Sequence, residues 1–64
     1  MDDKIKIMDS TQEYEVNVIK LKLEDAGIPC WVINKKDSSY LNFGHIELYI
    51  NAVDREKAKD LLAT

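Results

Sequence analysis

Charged and apolar residues alternate along Lys4-Ile-Lys-Ile-Met-Asp9, the two-residue period of a half-buried strand. That period places Ile5 and Ile7 toward a core and Lys4, Lys6 and Met8 on the opposite face. Ser10-Thr-Gln-Glu13 then has the spacing of a capping box: the serine hydroxyl takes an orphan helix N–H and the glutamate reaches back. A helix is predicted from about Thr11 to Ala26. At ~100° per residue, Val16, Ile19, Leu23 and Ala26 fall on one stripe, and Tyr14, Val18 and Leu21 on nearly the opposite one. A helix lying on one sheet needs a single stripe. The second reads as touching the neighbouring helix or lying partly exposed, with a contact to another subunit as the alternative.

The helix is predicted to stop at Gly27, which takes a left-handed conformation without a Cβ penalty, and Pro29 prevents it from resuming. Ile28, Cys30 and Val32 then alternate with Trp31 and Ile33 in a β-branched and aromatic strand. Residues Lys35 to Gly44 form a connection too long for a tight hairpin. It leads to a further strand, His45-Ile-Glu-Leu-Tyr-Ile-Asn51. A last helix should start near Asp54, an N-cap with Val53 placed to staple against Ala58, and bury Ala58, Leu61 and Leu62.

The order strand, helix, strand, strand, helix predicts a single α+β domain over residues 1–64, a ferredoxin-like βαββα two-layer sandwich. Its three-stranded antiparallel sheet should have the order 1-3-2, because a right-handed crossover leaves the middle place for the third strand. Both helices then cover one face, and the other is open.

Sixty-four residues bury only a modest core. With one cysteine and one histidine, neither an intramolecular disulfide nor a closed four-ligand zinc site can be built. Self-association, most simply as a homodimer, is therefore the expected source of extra stability. Nine Lys and Arg against twelve Asp and Glu disfavour nucleic acid as a partner. The opening Met-Asp-Asp-Lys is unlike a secretory signal, and no long apolar run follows, so no membrane contact and a cytoplasmic location are expected.

Across nearly its whole length the chain also resembles a family. The matching residues are Glu13, Val18, Ile19, Leu23, Glu24, Gly27, Ile28, Pro29 and Val32, then Asp54, Ala58, Leu61 and Leu62. They resemble the "putative prokaryotic signal transducing protein" family, a bacterial domain of unknown function. The resemblance implies a ferredoxin-like βαββα fold, compared with that of GlnB-like nitrogen-regulatory proteins, and a regulatory or sensing role. It brings no catalytic residues. Tyr14 and Lys22, where small and apolar residues are more usual, and the bulky Trp31 depart from the pattern.

Cys30 and His45 suggest a nucleophile and its base, but alternation puts them on opposite faces of the sheet. Cys30 reads as a core residue. No phosphate-cradling loop, cofactor or metal site and no catalytic residue is expected, and the chain is not read as an enzyme. The open sheet face carries the candidate chemistry. Lys4, Lys6, Met8, Trp31, Ile33, His45, Glu47 and Tyr49 fall there by alternation, with Met8, Trp31, Ile33 and Tyr49 forming an apolar, aromatic patch. Lys35, Lys36, Tyr40 and Phe43 in the long loop extend it. The patch suits homodimer burial first, a protein partner second and a small ligand third. The expected function is a regulatory or interaction module that binds a protein partner through the open face and the 35–44 loop. The alternative is a sensor with a small molecule between face and loop.

Overall fold

The computed structural model of the chain describes residues 3–35 and 44–63. The elements are β1 (Lys4–Ser10), α1 (Glu13–Asp25), β2 (Cys30–Asn34), β3 (Ile46–Asn51) and α2 (Arg55–Leu62), the last preceded by a 3-10 turn over Ala52–Asp54. The sheet order is β1-β3-β2, with β3 antiparallel to both neighbours, so the predicted βαββα arrangement is the fold.

Gly27 ends α1 as expected, at φ +79°. The Ile28 N–H donates to the Leu23 carbonyl at 2.8 Å and the Gly27 N–H to Glu24 at 3.0 Å, which is the paired bonding of a Schellman cap. Ile28 and Leu23 are both buried, so the cap also seats the chain in the core. A Cβ built on Gly27 would meet nothing within 4 Å, which leaves backbone strain as the whole penalty of a side chain there. Gly27→Ala is therefore expected to lower stability by about 1–2 kcal/mol, read from urea unfolding with an unchanged m-value.

The core lies between β3 and the helices. Ile46, Leu48 and Ile50 project from β3 onto Val16, Leu23 and Ile28, with Ala58 contributed by α2. Ile5, Ile7, Met8, Ile19, Cys30 and Leu61 pack around this centre. Both helices therefore cover one face of the sheet.

Three local expectations are corrected. Met8 does not lie on the open face. A bulge between Lys6 and Met8 slips the pairing by one residue, so Met8 stands opposite Leu48 and packs on the core. One inserted residue reverses the face of everything after it. Ser10 does not cap α1, because it still pairs with Ile46 as a strand residue. The N-cap is Gln12, whose N–H donates to Ser10 Oγ at 2.9 Å while that hydroxyl donates to the Glu15 carboxylate rather than meeting Glu13. Val53 makes no staple, since the 3-10 turn leaves it 87 % exposed; Asp54 is the N-cap residue of α2 as expected, though its side chain makes no cap bond. Val32 faces the helices opposite Leu48, yet it is 41 % exposed because β2 is an edge strand.

Candidate functional site

The uncovered sheet face is set by register. Tyr49 of β3 stands between Lys6 of β1 and Trp31 of β2, Glu47 between Asp9 and Ile33, and Asn51 beside Lys4. Trp31, Ile33 and Tyr49 therefore share the open face as expected. Met8 has left it, and Asp9 has been carried onto it by the same bulge. A continuous apolar patch is not what results.

The centre of the face is Glu47, only 5 % exposed although it lies on the side that the helices do not cover. Its carboxylate is surrounded by donors. Tyr49 Oη donates to Oε1 at 2.9 Å, and His45 Nε2 lies 2.9 Å from Oε2. An ionised carboxylate only accepts, so that ring nitrogen carries a proton. Lys35 Nζ is 3.5 Å from Oε1 and Lys6 Nζ 3.7 Å from Oε2, while Lys6 also donates to Asp9 at 3.0 Å. On the flank, Lys4 Nζ stands 4.3 Å from the centroid of the Trp31 ring, a cation–π contact that spans the sheet from edge to edge.

The electrostatics follow from these contacts. Hydrogen bonds from His45 and Tyr49, followed by the charges of Lys35 and Lys6, outweigh desolvation and hold the Glu47 carboxyl down at about 2. Donating to that carboxylate pushes the Tyr49 hydroxyl above the ordinary phenol range, and burial adds to the shift. Lys6 is raised by its hydrogen bond to Asp9 and by that residue's charge. A carboxylate held this low is ionised throughout the neutral range and is poorly matched to general acid–base work. What it can do is fix the positions of four surrounding donor groups.

Cys30 pairs with Ile50 on the core face, with its Sγ 4.0 Å from the Lys20 carbonyl, and burial pushes its thiol up. His45 bonds to Glu47 on the other side of the sheet, so the two are kept apart as expected. Lys35 joins the face through Glu47, and its N–H donates to the His45 carbonyl at 2.8 Å. Lys36, Tyr40 and Phe43 lie outside the described residues.

Sequence reasoning placed Glu47, Lys4 and Lys6 on this face but missed what they do there. The signal was His45-x-Glu47-x-Tyr49, an i, i+2, i+4 series that stacks three polar side chains along one strand face.

Among the described residues, no group of three or more His, Cys, Asp or Glu could hold a metal ion, and no helix is long and apolar enough to cross a membrane. No curated protein and no solved structure matches the chain. A family model does match, over residues 4–64. The match spans all three strands and both helices, and with the βαββα topology it places the chain in the family described as "Putative prokaryotic signal transducing protein".

Proposed function

We propose that this domain is a protein-interaction module whose open sheet face receives an acidic segment of a partner, and that it performs no catalysis. The observation that carries the reading is the set of cations organised around Glu47. Among the described residues of this face, Lys4, Lys6 and Lys35 are set against Asp9 and Glu47, whereas the whole chain has a net charge of −3. The described residues of the face thus carry one more positive than negative charge, on a chain that is acidic as a whole. A lysine ammonium has three donors, so Lys6 and Lys35 can hold Glu47 and still offer N–H groups outward. Beside them Trp31, 39 % exposed, supplies an aromatic anchor of the kind that dominates protein interfaces.

Two hollows lie away from the centre of this face. A hollow of about 440 Å³ lies between β1 and α2, lined by Ile5, Lys6, Ile7, Ala58 and Leu62 among others. A second, of about 360 Å³, lies between Met8 and α1. Neither includes Trp31, Glu47 or Tyr49.

The test is amide and indole NMR titration of the ¹⁵N-labelled domain with a panel of acidic and basic peptides, each carrying one aromatic residue. Acidic peptides are expected to shift the Trp31 indole and the β1 and β2 amides. Trp31→Ala is expected to weaken that binding roughly tenfold or more, and Lys35→Glu by a smaller factor that vanishes at high salt. Shifts confined to the helices, or equal responses to acidic and basic peptides, would refute the assignment.

A further inference from the structure

The outer face of α1 carries a second pattern that the open sheet does not use. Tyr14 is 65 %, Val18 49 % and Leu21 65 % exposed, so the second stripe touches neither the sheet nor α2 to any extent that covers it. With Asp25 it runs 14, 18, 21, 25, the alternating four- and three-residue spacing of a coiled-coil seam. In that frame Glu15 and Lys22 occupy the flank on one side of the seam, and Asn17 and Glu24 the flank on the other.

We propose that α1 pairs with α1 of a second copy of this chain, antiparallel and about a two-fold axis, leaving the open sheet face free. Charge complementarity in a single register supports this pairing. An antiparallel pair sets like flanks against each other, so Glu15 meets Lys22 of the second copy, and Lys22 meets its Glu15. The same register puts Val18 on the second copy's Leu21, Tyr14 on its Asp25 and Asn17 on its Glu24. Each of these is an apolar contact, an ion pair or a donor against a carboxylate, and no like charges are opposed on the seam or its flanks. A parallel pair would set Lys22 against Asn17 and give no opposite-charge pair, so the sequence selects the antiparallel arrangement.

The local shape agrees. The hollow lined by Met8, Tyr14, Glu15, Val18 and Ile19 opens on the Glu15 side of the seam, where the aliphatic stem of the second copy's Lys22 passes. The seam is only about three turns long, so the pair is a weak, concentration-dependent dimer.

Sedimentation equilibrium of the intact chain, with native mass spectrometry of mixtures, tests the proposal. The wild-type protein is expected to dimerise as its concentration rises. Lys22→Glu and Glu15→Lys should each raise the dissociation constant roughly tenfold or more, since each replaces two ion pairs by two repulsions. An equimolar mixture of the two variants should restore a heterodimer, identified by its mass. Val18→Asp should abolish association while the circular dichroism spectrum is retained, and Trp31→Ala should leave it intact. A wild-type chain that stays monomeric at millimolar concentration overturns the proposal. So does a dimer that is indifferent to Lys22→Glu and Val18→Asp, or a variant mixture that fails to form the heterodimer.

Discussion

Leu48→Ala is expected to remove about 2–5 kcal/mol and to leave much of the protein unfolded at 37 °C. Leu48 is completely buried at the middle of the central strand, with Met8 opposite it on one side and Val32 on the other. Truncation opens a cavity between the sheet and the Val16 and Leu23 side chains above it. β3 cannot move to fill that cavity without breaking both of its ladders, so little of the loss is recovered by relaxation. A 64-residue chain has only about 3–10 kcal/mol of total stability. Val53→Ala is the matched control: that side chain is 87 % exposed, and its loss should fall within ~0.5 kcal/mol of zero. Urea titrations of the two variants and the parent, monitored by Trp31 fluorescence and far-ultraviolet circular dichroism, give the comparison. Equal stability of Leu48→Ala and Val53→Ala would show that the core is not centred on β3.

Glu47→Gln is expected to have the second largest effect, and its signature is in the pH dependence. The substitution removes the charge that holds Lys6 and Lys35, and it replaces one acceptor oxygen of a 5 % exposed side chain with an NH₂ donor. A donor turned toward either Tyr49 Oη or His45 Nε2 faces a group that is itself donating. The folded-state carboxyl sits at about 2 against an ordinary 4.5, so the folded state binds its proton more weakly than the unfolded state. The resulting stabilisation is complete above 4.5 and is lost as the pH falls from 4.5 to 2. The stability difference between parent and Glu47→Gln should therefore be constant from neutral pH down to about 5 and shrink below that. A pH-independent difference would mean that Glu47 contributes packing alone.

Much of the architecture was legible because local signals agreed with one another. Gly27, Ile28 and Pro29 end a helix and begin a strand within three residues. The alternation in 46–50 separates Ile46, Leu48 and Ile50 from Glu47 and Tyr49 in the same way as the final structure. The failures lie where a signal depends on the neighbouring element. Ile7-Met8 is a pair of adjacent apolar residues that breaks the alternation, and such a pair marks a bulge as readily as the end of an apolar face. Strict period two turned Met8 outward. Ser10 has the chemistry of a cap, but its pairing with Ile46 pulls it into the strand.

The site was half legible for a related reason. Alternation correctly grouped Trp31, Ile33, His45 and Tyr49, and it also placed Glu47, Lys4 and Lys6 on the same face. What it cannot supply is the distance between side chains on different strands. Register brings Lys6 and Lys35 to Glu47 from opposite sides, and that convergence turns an expected aromatic patch into an ionic one with Trp31 at its margin. The family match bears on the whole chain rather than on this face. It agrees with the structural residues that suggested it, among them Gly27, Ile28 and Leu23, which form the Schellman cap and its core contact.

The role of Glu47 as the organiser of the open face can be measured directly by following its side-chain carboxyl carbon by NMR through an acid titration of the labelled domain. The account predicts a signal that stays at its ionised position through pH 4 and titrates near 2, with the Tyr49 hydroxyl proton observable as long as the carboxylate is charged. A midpoint close to the ordinary 4.5 would show that Lys6, Lys35, His45 and Tyr49 do not converge on Glu47, and it would contradict the account of the face.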